Sequence, residues 1–169
     1  MTSILKVSEI QDPTNSNTAL TIDSSGNVNI PNRLTTGTIP AFRAYSSASG
    51  WQSFGNTSEN VMPFNSTDFN VGNHYDTTNY KFVAPVSGLY SFYFQWYSDA
   101  TISDSYLRVG STDITFSRIR TQGATVTASL IYQLSANDEV KALGRVNSTN
   151  ADDWYAAPTY SYFEGHLIG

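Results

Sequence analysis

Residues 82–97 read Phe82-Val83-Ala84-Pro85-Val86-Ser87-Gly88-Leu89-Tyr90-Ser91-Phe92-Tyr93-Phe94-Gln95-Trp96-Tyr97. Pro85 fixes one backbone angle and Gly88 tolerates a positive one, so 85–88 is expected to turn the chain and a strand to begin directly after it. Successive side chains of a strand point to opposite faces. One face of this strand therefore carries Tyr90, Phe92, Phe94 and Trp96, a purely aromatic row that belongs in a core. The other carries Leu89, Ser91, Tyr93, Gln95 and Tyr97, a mixed row suited to water or to another subunit.

Working outward, the aromatics continue at fixed spacing. Phe64, Asn70, Tyr75, Phe82, Gly88, Tyr90, Phe92 and Phe94 fill the pattern F-x5-[ND]-x4-[FYWL]-x6-F-x5-G-x-Y-x-F-x-[FY] without a gap. The end of the chain adds Phe163-Glu164-Gly165-His166-Leu167, an F-x-G-x-L closing strand. In these positions the sequence resembles the C1q-like domains of the C1q/TNF superfamily. The resemblance implies an all-β, ten-strand-type jelly-roll sandwich in which the first and last strands lie together near an inter-subunit surface. It also implies a homotrimer.

The remaining head residues fit that expectation. Predicted strands are Pro40–Ser46, Trp51–Phe54, Asn60–Phe64, Phe69–Val71, Tyr80–Ala84, Tyr106–Val109, Ile114–Ile119, Val126–Leu134, Glu139–Val146 and Tyr160–Ile168, punctuated by short polar turns. Residues 72–79 and 147–160 are predicted loops. A chain of 169 residues suffices for one sizeable core and is short for two.

A boundary is expected near residue 38, dividing 1–37 from the head at 38–169. Before it lie two alternating apolar pieces, Ile4–Ile10 and Ala19–Ile30. The second reads as a β-hairpin: Leu20 and Ile22, the turn Asp23-Ser24-Ser25-Gly26, then Val28 and Ile30. Such an arm has too few apolar residues to bury a core by itself and must pack against copies of itself or a larger assembly. The strings Ile4-Leu5-Lys6-Val7-Ser8-Glu9-Ile10-Gln11-Asp12 and Ala19-Leu20-Thr21-Ile22-Asp23-Ser24-Ser25-Gly26-Asn27-Val28 are similar to the N-terminal leader of tailed-phage virion proteins, notably tail fibres. That resemblance implies an anchoring or trimerisation role for 1–37 and other virion proteins as its partners.

Composition narrows the function classes. Only 14% of residues are charged, the net charge is −5, and the basic residues are scattered, with only Arg118 and Arg120 close together, so nucleic acid is not expected as a partner. No apolar run approaches the roughly 20 residues of a membrane span, and Met1–Lys6 lacks a secretory hydrophobic region. Insertion into a membrane is not expected. Cysteine is absent, which removes disulfide frameworks and thiolate metal sites.

Catalytic residues are not expected. His74 and His166 are far apart, and neither a zincin motif nor a Gly-rich phosphate loop nor Gly-x-Ser-x-Gly occurs. No cofactor is expected. Calcium, which hard oxygen ligands bind, has candidate carboxylates at Asp99 and Asp104, Asp152 and Asp153, and the isolated Asp68, Asp76 and Asp113; no spacing matches a calcium loop, and solvated carboxylates are the simpler reading. The ligand-binding candidates are Trp154, Tyr155, Asp152 and Asp153, which join flat apolar surface to hydrogen-bonding groups. Against this, Trp154 can equally pack back as a lid or sit between subunits. Trp51, Tyr97 and Tyr106 carry the same suspicion with less support, and sequons at Asn56, Asn65 and Asn147 matter only in a secretory pathway.

The expected function is that of a structural virion protein of a tailed phage, made in the host cytoplasm and exposed on the particle: a trimeric fibre, spike or head-surface appendage adhering to a host-surface glycan or protein. The alternative is a capsid decoration or cementing protein without a receptor. A soluble C1q/TNF-like signalling ligand ranks behind both, because it leaves the leader unexplained.

Overall fold

The computed structural model describes residues 9–11, 18–29, 39–147 and 152–169. The chain separates into two compact units, Met1–Thr38 and Ile39–Gly169. In the first, β1 (Glu9–Gln11), β2 (Thr18–Ile22) and β3 (Val28–Asn29) form one antiparallel sheet in that order. The expected hairpin is present, with Thr21 opposite Asn29 and Ile22 opposite Val28. Asp23 closes its turn by accepting hydrogen bonds from the backbone N–H groups of Ser25 and Asn27, both at 2.8 Å, and from the Asn27 amide at 2.9 Å. Ile4–Ser8 and Ile30, which completed the predicted alternation, lie outside the described residues.

The second unit holds β4 (Ala41–Tyr45), β5 (Gly50–Gln52), β6 (Asn60–Val61), β7 (Ser66–Val71), β8 (Tyr75–Asp76), β9 (Lys81–Val83), β10 (Gly88–Ser98), β11 (Ser103–Val109), β12 (Thr112–Ile119), β13 (Ala124–Leu134), β14 (Glu139–Val146), β15 (Trp154–Ala156) and β16 (Tyr162–Leu167). They form two antiparallel sheets. In the first, β10 lies between β13 on one side and β16-β4-β7 on the other, and its far end also carries β15-β5. The second runs β12-β11-β14-β9-β8, with β6 beside β14. This is the all-β jelly-roll sandwich expected from the aromatic pattern.

The predicted inward row of β10 is buried completely: Tyr90, Phe94 and Trp96 are 0% exposed and Phe92 1%. Phe42 of β4 lies between the sheets, stacked on Tyr75 and Phe82 at centroid distances of 4.9 and 5.1 Å and edge-on to Phe163 at 4.9 Å. Each such ring removes enough apolar surface from water to contribute about 1.5–3 kcal/mol. Polar atoms in the interior are paired. The Trp96 indole donates to Ser105 Oγ at 2.7 Å, tying β10 to β11, and the Tyr75 hydroxyl donates to the Phe64 carbonyl at 3.1 Å.

The non-aromatic positions of the sequence pattern have their own reasons. Asn70 clamps the bend after β7: its amide donates to the Tyr75 carbonyl at 2.9 Å and its oxygen accepts from the Tyr75 N–H at 3.0 Å. Gly88 does not take a positive φ, contrary to the sequence expectation. Space constrains it instead, since a Cβ there would come 2.6 Å from Leu167 Cδ1 and 3.1 Å from the Gly169 carbonyl oxygen. Gly165 is required in the same way, because its Cβ would meet the Phe92 ring at 2.4 Å.

Two short strands fall where loops were predicted. β8 sits within 72–79 and β15 within 147–160. Both are too short to show alternation; β8 is held by its neighbour β9, and β15 by pairing with distant chain, β5 and Ser98 of β10.

Candidate functional site

The outward face of the first sheet presents the alternate residues of its strands. The registers place His166, Ser91 and Ile131 in one row, Arg43, Glu164, Tyr93 and Ser129 in the next, and Tyr45, Tyr162, Gln95 and Thr127 in a third. Leu89 is 38% exposed, Phe69 46% and Ile131 60%. Tyr93 packs on Tyr162 at 5.8 Å and donates from its hydroxyl to Gln95 Oε1 at 2.8 Å. Arg43 lies 4.2 Å from the centre of the Tyr162 ring and pairs with Asp68 and Glu164. A recess of about 280 Å³ opens among Ala41, Phe69, Ser91, Tyr93, Glu164 and His166. Small residues on β4 and β10 beside large ones on β7 create it.

Farther along β10 the face ends in four aromatic rings. Trp51 of β5 meets Tyr155 of β15 edge-on at 5.2 Å and Tyr97 of β10 at 5.6 Å; Tyr160 completes the set at 5.3 Å from Tyr155 and 5.7 Å from Tyr97. They enclose a recess of about 150 Å³. Buried Ser161 sets their positions, donating to the Tyr155 carbonyl at 2.7 Å and accepting from the Tyr97 N–H at 3.3 Å. Trp51 and Tyr160 remain 36% and 48% exposed.

This arrangement separates the four ligand-binding candidates. Trp154 is 2% exposed and stacks near Phe54, and Asp153 is 0% exposed, accepting from Ser53 Oγ at 2.9 Å and the Phe54 N–H at 2.7 Å. Those two side chains fasten β15 to the segment after β5. Asp152 is exposed, and Tyr155 belongs to the aromatic set. Of the weaker suspects, Trp51 and Tyr97 join Tyr155, whereas Tyr106 lies on the second sheet against Phe116 at 5.3 Å. Tyr160 is not singled out by the sequence; the turn from Ala157 and the hydrogen bond of Gln95 to its carbonyl bring it to Tyr155 and Tyr97.

The acidic candidates are dispersed. Asp104 is buried and accepts two hydrogen bonds from Arg118, at 2.6 and 2.8 Å, with Arg145 at 3.8 Å. Asp113 pairs with Arg108, Asp68 with Arg43, and Asp99 accepts from Gln122 at 3.1 Å. Asp76 caps its own turn through Thr78 and Asn79, and these hydrogen bonds, the Asn79 side chain first, hold its carboxyl below the ordinary value. Burial pushes the Tyr75 phenol up. Among the described residues no group of three or more His, Asp or Glu converges on one point, and no helix is long and apolar enough to cross a membrane. His74 sits at the bend after β7, and His166 lies exposed on β16.

The sandwich is shared with solved structures of low sequence identity. The globular domain of zebrafish complement 1qA superposes with a TM-score of 0.61 at 17% identity, covering 78% of this chain and 98% of that one. Murine APRIL gives 0.61 at 9% identity, with 77% and 99% covered. PRD1 vertex protein P5 gives 0.59 at 16% identity, with 79% and 99% covered. A search of curated proteins by sequence returns no match. Residues 41–168 match the family model of the C1q domain, from the first strand of the sandwich to the last, and the chain belongs to the C1q domain family.

Proposed function

We propose that this protein is a non-catalytic structural component of a tailed-phage particle surface, a homotrimer held to the particle by residues 1–37 and displaying its C1q-like head. The supporting observation is the sandwich shared with PRD1 vertex protein P5, since a vertex is a position on a polyhedral shell. Decoration of the capsid follows most directly from that likeness. Homotrimerisation follows from the family together with the aromatic outward face of the first sheet, where Tyr93, Tyr162 and Phe69 exceed what one sandwich core can cover.

A second reading, a fibre or spike head that adheres to a host surface, is favoured by one specific observation: the exposed aromatic set around Tyr155 stands at the end of β10 remote from the chain's entry into the head. Three linked copies of a weak site would gain avidity without a tight single contact.

Particles assembled without this chain test the two readings. Decoration predicts normal adsorption to host cells and a lower temperature of particle disruption. Adhesion predicts intact shells that no longer adsorb. Particles unchanged in both respects would defeat the virion reading.

A further inference from the structure

The two ends of β10 differ in what reaches them. At its start, the Leu89 N–H donates to the Gly169 carbonyl at 2.7 Å, and Leu167 N–H donates to the Pro40 carbonyl at 3.0 Å, so both termini of the head unit gather there. Tyr97 lies eight residues on, roughly 26 Å away at about 3.3 Å per strand residue. The aromatic set is therefore at the opposite tip from residue 39. The described residues at its rim are polar. Tyr97 Oη would lie 3.4 Å from a Cβ on Gly123, next to Asp99 and Gln122, and the exposed Asp152 begins the segment leading to Tyr155. Arg43 reaches the Pro158 carbonyl at 2.7 Å but is already matched by Asp68 and Glu164.

We infer that Trp51, Tyr97, Tyr155 and Tyr160 form a binding site for a neutral saccharide. A pyranose offers a flat C–H face that packs on aromatic rings and an edge of hydroxyls that suits phenol, amide and carboxylate partners. A recess of about 150 Å³ holds less than the roughly 300 Å³ typical of an enclosed small-molecule pocket, which fits one ring lying on the surface at the end of a chain. The Asp99 carboxylate near Tyr97 disfavours phosphate and sulfate groups. This inference rests on the adhesion reading for its biological use, but the site itself can be tested on purified full-length protein.

Trp51 makes the test direct. Trp96 and Trp154 are buried at 0% and 2% exposure, so acrylamide quenching and saccharide-induced emission changes report on Trp51. The probes are galactose, glucose, mannose, N-acetylglucosamine and N-acetylgalactosamine as free sugars and arrayed oligosaccharides, with sulfated and phosphorylated counterparts. The expected result is saturable binding of at least one neutral sugar, weakened about tenfold or more by Trp51→Ala and by Tyr160→Ala, with thermal midpoints near that of the parent. Tyr160→Phe, which keeps the ring, should lose less. Absence of binding by every neutral sugar, binding unaffected by both alanine variants, preference for the anionic sugars, or a Trp51 shielded from acrylamide by a second copy would each overturn the site. Particle incorporation is untouched by those outcomes, so the virion reading would stand or fall separately.

Discussion

The two faces of β10 share one backbone and differ in every other respect. Inward, Tyr90, Phe92, Phe94 and Trp96 meet rings from β4, β9 and β16 and leave no surface open. Outward, Tyr93 stands beside Tyr162 and Tyr97 beside Trp51, while Leu89 and Phe69 are exposed. The contrast teaches where the chain's specification ends: one face is completed by the protomer, while the other holds aromatic area that the protomer leaves uncovered. A monomeric domain rarely leaves a broad apolar patch open without a binding role.

The largest way to break this contrast is to hollow the inward face. Phe92→Ala removes a ring that packs on Phe42, Phe82, Tyr90 and Phe163, and should cost about 3–5 kcal/mol in chemical denaturation. A nearly neutral result would mean the interior can collapse into the space. Next comes Asp153→Ala, which leaves the Phe54 N–H without its acceptor in the interior and should cost about 1–3 kcal/mol. It should also loosen β5 and expose Trp51 further to quenchers, which tests whether that carboxylate holds the aromatic set together.

On the outward face the effect should move from stability to association. The parent is expected to scatter light as about three times 18.6 kDa. Tyr93→Arg should change protomer stability by only about 1 kcal/mol, yet reduce the scattering mass toward that of one chain. An unchanged mass would remove this face from the subunit contact. The smallest effect concerns Asp76. Its carboxyl is depressed in the folded state, so its contribution is present above the ordinary value of 3.8 and is lost as pH falls through the lower folded value. Asp76→Asn should therefore melt below the parent at neutral pH, with the gap closing in acid.

Sequence reading reached the interior well, because burial of a strand leaves a period-two trace. Tyr90 to Trp96 announce their side, and Phe82 and Phe163 sit where the pattern places them. It reached the outward rings poorly. Trp154 and Tyr155 look equivalent in sequence, and a three-residue strand shows no period from which to tell that Trp154 turns inward. Their roles are assigned by the register of β15 against β5, Trp154 opposite Gln52 and Tyr155 opposite Trp51, which joins chain a hundred residues apart. Gly88 shows the other limit. A glycine after Pro85 suggests backbone freedom, whereas the need is for room beside Leu167, and a steric neighbour from the far end of the chain leaves no local signature.

The gathering of both head termini at one tip also fixes how the domain would carry a load. A pull entering at Ile39 and resisted at the aromatic tip runs along β4, whose hydrogen bonds to β16 and β7 stand across the direction of pull. The pairs from Ala41 with His166 to Tyr45 with Tyr162 would then be strained together rather than opened in succession. Peeling, by contrast, would need force perpendicular to the strands. A head entered at one tip and gripped at the other is thus loaded in shear, the geometry in which a sheet yields latest.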